Sequence, residues 1–203
     1  LIWCITFCSQ TLMARGKVQE AERLLRESLA LSHASDDRYS ATVTLRHLGR
    51  AALQQDDIDT AIYFFREALP ELRSIGNWEY MPALNDLGEA LRRAGAWADA
   101  RRTYDEALAV ALRLQSPYEA ARATLGIAAC AAHAGDCALA LKLAAGVLAD
   151  PASSEQARRV ANDLHLAARA QLAEADATQL EHGASARPLE ALLAELGLPH
   201  PLR

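Results

Sequence analysis

Leu84-Asn-Asp-Leu87-Gly88-Glu-Ala-Leu91 is followed by Gly95-Ala-Trp-Ala-Asp-Ala100-Arg-Arg-Thr-Tyr104-Asp-Glu-Ala107-Leu108, and this stretch decides the fold. Leu84, Leu87 and Leu91 stripe one helix, and Ala100, Tyr104, Ala107 and Leu108 stripe the next. Gly95 between them suits a tight turn, because glycine tolerates a left-handed backbone. The stretch is therefore a first helix, a short turn and a second helix.

The same arrangement recurs along the chain. Four segments align without gaps: Gly16 to Leu25, Asp56 to Phe65, Gly95 to Tyr104 and Gly135 to Ala144. Their shared small residue is Ala21, Ala61, Ala100 and Ala140, so the period is 40, 39 and 40 residues. Leu45-x2-Leu48-Gly49, Leu84-x2-Leu87-Gly88 and a weaker Thr124-x2-Ile127-Ala128 each end 12 residues before it. The spacing predicts helices at 1–14, 17–33, 38–54, 57–73, 78–94, 97–114, 118–133 and 137–149. Turns fall between repeats at His33–Asp37, Ser74–Asn77 and Gln115–Pro117. Ala on the second helix, and Gly49 and Gly88 on the first, let neighbouring helices approach closely. A large side chain at such a place overpacks the contact.

Composition agrees. The 203 residues include 44 Ala and 32 Leu but only 10 Gly and 7 Pro, which favours long helices and excludes sandwiches, barrels and α/β domains. The expected fold is all-α, a right-handed α-solenoid of antiparallel helix hairpins. A hydrophobic fraction of 51% with 23% charged residues describes a folded domain, and a net charge of −5 gives no footprint for nucleic acid. The apolar run Leu1 to Phe7 stops at Cys8-Ser9-Gln10, too short for a membrane span and lacking the basic start of a signal peptide. Four Cys without a dense pattern suit a reducing, cytoplasmic setting. The start at Leu1 reads as a piece of a longer protein.

Leu48, Gly49, Ala61, Phe65 and Ala68, and again Leu87, Gly88, Ala100, Tyr104 and Ala107, resemble the tetratricopeptide repeat, with its Leu-Gly pair and its Ala-x3-Phe. The family's Trp and Tyr on the first helix are replaced by Leu45 and Ala52, then Leu84 and Leu91. Its closing Pro is missing, and the period exceeds the usual ~34. A narrower likeness lies in Glu20 to Leu31, Ala83 to Leu91 and the tail from Leu148 to Leu196. These are similar to the C-terminal arrays of bacterial STAND-type regulatory ATPases of the LuxR or SARP kind. That resemblance implies an array that senses a partner or ligand and restrains a P-loop ATPase, with that ATPase and an output domain lying before it in the same chain.

The expected domains are four repeats at 1–149, the first one truncated, a capping helix at 150–175, and a linker with a short helix at 176–203. Asp150-Pro151 reads as the capping helix's start, with Ala157, Val160, Ala161, Leu164, Ala168 and Leu172 as its stripe. A last helix at 186–196 carries Leu189, Leu192, Leu193 and Leu196 and is stopped by Gly197 and Pro199.

The register puts Thr6 and Gln10, Arg46 and Arg50, Asn85 and Glu89, and Leu125 and Ala129 on the concave face, with Arg92 one turn further and Arg122 one turn earlier. Arg46, Arg50, Asn85, Glu89, Arg92 and Arg122 are the candidate partner-binding residues. Arginine's planar fork of donors suits a carboxylate or peptide backbone, and the resemblance implies an extended peptide or helix as partner. Reversing Arg46 and Arg50 to Glu is expected to abolish capture and leave helicity intact. Cys130-x2-His133-x3-Cys137 has zinc-like residues, yet Cys130 and Cys137 fall in register with buried apolar places, and no fourth ligand stands near. Cys4 and Cys8 read as core too. Asp56, Asp57 and Asp59 lack the Gly and Glu of a calcium loop and suit a helix start. No nucleophile motif, phosphate loop or HExxH occurs. The expectation is a protein-binding module without catalysis, metal or cofactor, inside a signal-transducing transcriptional regulator. A stand-alone adaptor, or an accessory region of a nucleotide cyclase or kinase, is the alternative.

Overall fold

A computed structural model describes residues 2–76 and 78–198. Asn77, read as turn, and Pro199, read as a helix stop, lie outside the described residues, as does Leu1. Two compact units divide the chain, 1–96 and 97–203. The first holds α1 (Ile2–Ala14), α2 (Val18–Ala34), α3 (Arg38–Gln54), α4 (Ile58–Ile75) and α5 (Tyr80–Arg93). The second holds α6 (Trp97–Arg113), α7 (Pro117–His133), α8 (Cys137–Ala149), α9 (Glu155–Arg169), α10 (Glu174–Ser185) and α11 (Leu189–Glu195). Among the described residues every element is helical.

The turns repeat one chemistry. Gly16, Asp36, Asp56, Gly76, Gly95, Gln115 and Gly135 all take a positive φ, the left-handed conformation that ends a helix. Most of these turns close with the same amide-to-carbonyl bond five residues back: Lys17 to Leu12, Asp37 to Ser32, Asp57 to Ala52, Ala96 to Leu91, Ser116 to Ala111 and Asp136 to Ala131, at 2.9–3.0 Å. Asp37, Asp57 and Asp136 then cap the following helix through the amides of Ser40, Thr60 and Leu139. In the turn after α2 the left-handed residue is therefore Asp36, while Asp37 is the cap.

In the first unit each helix packs on the next, as do α6 to α9 in the second, whereas α10 and α11 pack on α8. Ala21, Ala61, Ala100 and Ala140 are fully buried. In the first unit the Phe65 ring of α4 lies so close to Gly49 of α3 that a Cβ there would sit 2.6 Å from it. In the second, a Cβ on Gly126 of α7 would meet the Tyr104 ring of α6 at 2.4 Å. The first hairpin replaces apolar contacts with hydroxyls: buried Thr6, Ser28 and Thr44 form a chain at 3.5 and 3.2 Å across α1, α2 and α3.

Four expectations change. Cys4 and Cys8 are exposed rather than core, because α1 is the first helix and has no helix before it to cover that side among the described residues. Pro151 lies in a turn, and α9 starts at Glu155 after the Ser154 cap, whose hydroxyl accepts from the Ala157 amide. Ala157, Ala161 and Ala168 are buried, but Val160 is exposed. Residues 176–185, read as linker, belong to α10, which packs on α8 through Ala177 and Leu180. The last helix does dock on the repeats: Leu192 and Leu189 of α11 lie 2.6 and 3.2 Å from where a Cβ on Gly146 of α8 would be.

Candidate functional site

The first helices of the hairpins in unit 1, α1, α3 and α5, pack side by side. The repeat register carries two rows across them. Thr6, Arg46 and Asn85 form the inner row and are buried, Arg46 at 5% and Asn85 at 1% exposure. Gln10, Arg50 and Glu89 form the outer row and reach solvent. Each row steps by one period, so the register places both rows on one face, but only the outer row reaches solvent. In unit 2 the equivalent Leu125 is buried and Ala129 partly so.

Arg46 is a structural cation. Its guanidinium stands 2.8 Å from Glu79 Oε2 and 2.9 Å from Asp86 Oδ2, joining α3 to α5 and to the residue before it. Burial pushes the Glu79 carboxyl above its ordinary value, with Arg46 pulling the other way. The charge would be costly there without its partners. Reversing Arg46 to Glu would gather three carboxylates in one buried place, so the expected intact fold of that variant is corrected. Arg50 keeps 40% of its side chain exposed and lies 4.0 Å from Asp86, leaving donors toward solvent.

Beside them His47 is buried at 1% exposure, and its Nε2 lies 3.1 Å from the Gln10 side-chain amide of α1. Burial, then the charges of Arg46 and Arg50, hold this imidazole well below its ordinary value, against the pull of Asp86. A neutral His47 thus fixes Gln10 at the edge of the outer row. Glu89 receives two bonds from Arg92, at 2.8 and 2.7 Å, so these two candidates form one fork. Arg122 is in unit 2, where it donates to Glu119 at 3.1 Å.

His47, Glu79 and Asp86 were not singled out from the sequence. Asp86 gave a signal: its register position is that of Gly126, an interior place where a carboxylate needs a cation, and Arg46 is 40 residues away. Of the zinc-like residues, His133 stacks on Trp97 at 3.8 Å, Cys130 is buried and Cys137 packs into the α8 core. Among the described residues no three His, Cys, Asp or Glu gather as metal ligands. None of the helices searched there is long and apolar enough to cross a membrane.

Models of the tetratricopeptide repeat match residues 9–72 and 83–118. The crystal structure of nearly identical TPR-like repeats from a Podosopora anserina putative kinesin light chain superposes with a TM-score of 0.69 at 16% identity, covering 96% of both chains. A point variant of those repeats gives the same score and identity over 97% of this chain and 96% of that one. No curated protein matches the sequence. The two matched stretches thus read as tetratricopeptide repeats, and the fold is similar to that of TPR-like repeats; such repeats generally act as scaffolds that bind proteins or peptides.

Proposed function

We propose that the chain binds a protein or peptide segment across the first helices of its repeats, as the sensor region of a larger cytoplasmic signal-transducing transcriptional regulator. The observation that carries the binding reading is the division of labour between the two rows. The inner row is locked by Arg46, Glu79 and Asp86 into a rigid floor, while Gln10, Arg50 and Glu89 with Arg92 stand above it at one-period intervals. A rigid backbone carrying alternating donors and acceptors suits an extended segment, because little ordering is lost on binding. Arg50 and Arg92 are the groups for a partner's carboxylates or carbonyls. Arg122 serves the same role on the second unit.

The regulator reading rests on the likeness of residues 20–31, 83–91 and 148–196 to the arrays of regulatory ATPases. Here the N-terminal domains in the same chain are the first partners. An immunoblot of the protein from its own cells, with an antibody raised to this segment, tests it. A band several times larger than 22.0 kDa is expected. A band near 22.0 kDa would overturn the regulator reading in favour of a stand-alone adaptor.

A further inference from the structure

Small residues hold the last helices of unit 2 together. Ala140 and Leu141 of α8 share a core with Ala177 of α10, and Ala145 of α8 shares one with Ala184 of α10 and Leu192 of α11. Between these contacts α8, α10 and α11 leave a cavity of about 390 Å³, a volume within the range of small-ligand sites. Leu180, Leu192 and Leu196 give it an apolar floor, Leu192 buried and the other two half-buried. Gly183 of α10 keeps it open. At the helical glycines Gly49, Gly126 and Gly146 a neighbour's side chain takes the space of the missing Cβ, whereas a Cβ on Gly183 would meet nothing within 4 Å. Glycine there weakens the helix relative to alanine, and no packing contact requires it.

Two opposite charges line the same cavity, Lys142 of α8 and Asp176 of α10. Among the described residues neither makes a hydrogen bond or an ion pair. The cavity's other two charges, Arg187 and Glu195, pair with each other. Helical spacing orders the groups. Asp176 and Leu180 are i,i+4 neighbours on one face of α10, and Gly183 continues that face. The two shared cores place Lys142 level with the turn of α10 between Asp176 and Gly183. A cation and an anion thus stand beside an apolar floor, each with its hydrogen-bonding capacity unspent.

We propose that this cavity binds a free α-amino acid with an aliphatic side chain of about leucine's size. Lys142 takes the ligand's carboxylate, Asp176 takes its ammonium, and Leu180, Leu192 and Leu196 take its side chain. The charge pattern selects a zwitterion. A simple carboxylate would bring a second anion beside Asp176, and a simple amine would bring a second cation beside Lys142. Only a ligand carrying both charges and an apolar body answers the whole lining, with a charge-assisted bond at each end. None of Lys142, Asp176 and Gly183 belongs to the Gln10–Arg50–Glu89 row, so either site can fail without the other.

Calorimetric titration of the 203-residue chain with L-leucine, L-isoleucine and L-methionine tests it. At least one should bind saturably at a single site with a Kd below about 1 mM. For L-leucine, isocaproate lacks the ammonium and L-leucinamide lacks the carboxylate, and each should bind about tenfold more weakly or worse. Lys142→Met and Asp176→Asn should each weaken the amino acid by a similar factor with helicity unchanged, since neither side chain is tied to a neighbour. Gly183→Leu separates binding from folding. It should keep or raise the thermal midpoint, because it adds helix propensity in open space, and it should abolish binding by filling the cavity. No binding of any of the three amino acids at about 10 mM would overturn the proposal. So would binding that survives Gly183→Leu unchanged. Isocaproate or L-leucinamide binding as tightly as L-leucine would assign the cavity to a simple anion or a simple cation and overturn the zwitterion.

Discussion

Replacing Arg46 by Met keeps the aliphatic stem and removes the guanidinium that stands 2.8 Å from Glu79 and 2.9 Å from Asp86. Both carboxylates are buried, and Asp86 adds its own repulsion to the burial that raises Glu79. Removing one member of a buried ion group costs about 3–5 kcal/mol. Protonation of Glu79 limits the loss. Each further unit by which its folded pKa rises costs about 1.4 kcal/mol while the pH is above that value, and the cost fades as pH falls through it. Arg46→Met should therefore lose most stability at pH 8 and less at pH 5.5. With a urea slope of about 2 kcal/mol/M, the helicity midpoint should fall by roughly 1.5–2.5 M at pH 8. The triple variant Arg46→Met, Glu79→Leu, Asp86→Leu should recover most of it, because apolar residues can replace a buried ion group without penalty. A midpoint for Arg46→Met equal to wild type at pH 8 would refute this account of the inner row.

Three further outcomes follow from the packing and the titrating groups. Gly126→Ala should lower the thermal midpoint, since its Cβ would lie 2.4 Å from the buried Tyr104 ring. With Tyr104→Leu the same change should turn neutral or stabilising, by up to about 1 kcal/mol from helix propensity; no change of sign would place the strain elsewhere. Ala100→Phe should cost about 1–3 kcal/mol by overpacking, and an unaltered melting temperature would contradict the register. His47 is held neutral below its ordinary 6.5, so its stabilisation is complete above that pH. It should decline as pH drops below 6.5, by up to about 1.4 kcal/mol per unit. Glu79, with its raised value, acts in the opposite direction. His47→Gln should remove the decline between pH 6.5 and 5.5, and identical slopes in both proteins would sink the assignment.

The sequence made the repeat legible because period and helical stripe are properties of one chain read in order. Gly16, Gly95 and Gly135, and Asp56 in their place, announced the left-handed turns that the structure contains. The C-terminal region was less legible. Residues 174–185 have little amphipathic patterning, and α10 is held by alanines, Ala177 and Ala184, whose small faces give no stripe. The site was half legible. Spacing identified which helix face Arg46, Arg50, Asn85 and Glu89 share, but depth along that face depends on how closely α1, α3 and α5 pack. That closeness buries Arg46 and leaves Arg50 with 40% of its side chain in water. His47 was invisible because its role arises from neighbours one period away, Gln10 and Asp86.

The claim at the centre is that the outer row binds a partner while the inner row only supports it. Immobilised protein should be used to capture partners in three forms: wild type, Arg50→Glu with Arg92→Glu, and Leu166→Glu on the exposed side of α9 as control. Helicity should be equal in all three. A partner recovered with wild type and with the α9 control, but lost with the arginine reversals, is the predicted result. Equal recovery by all three would place binding away from the Gln10–Arg50–Glu89 row and contradict the account.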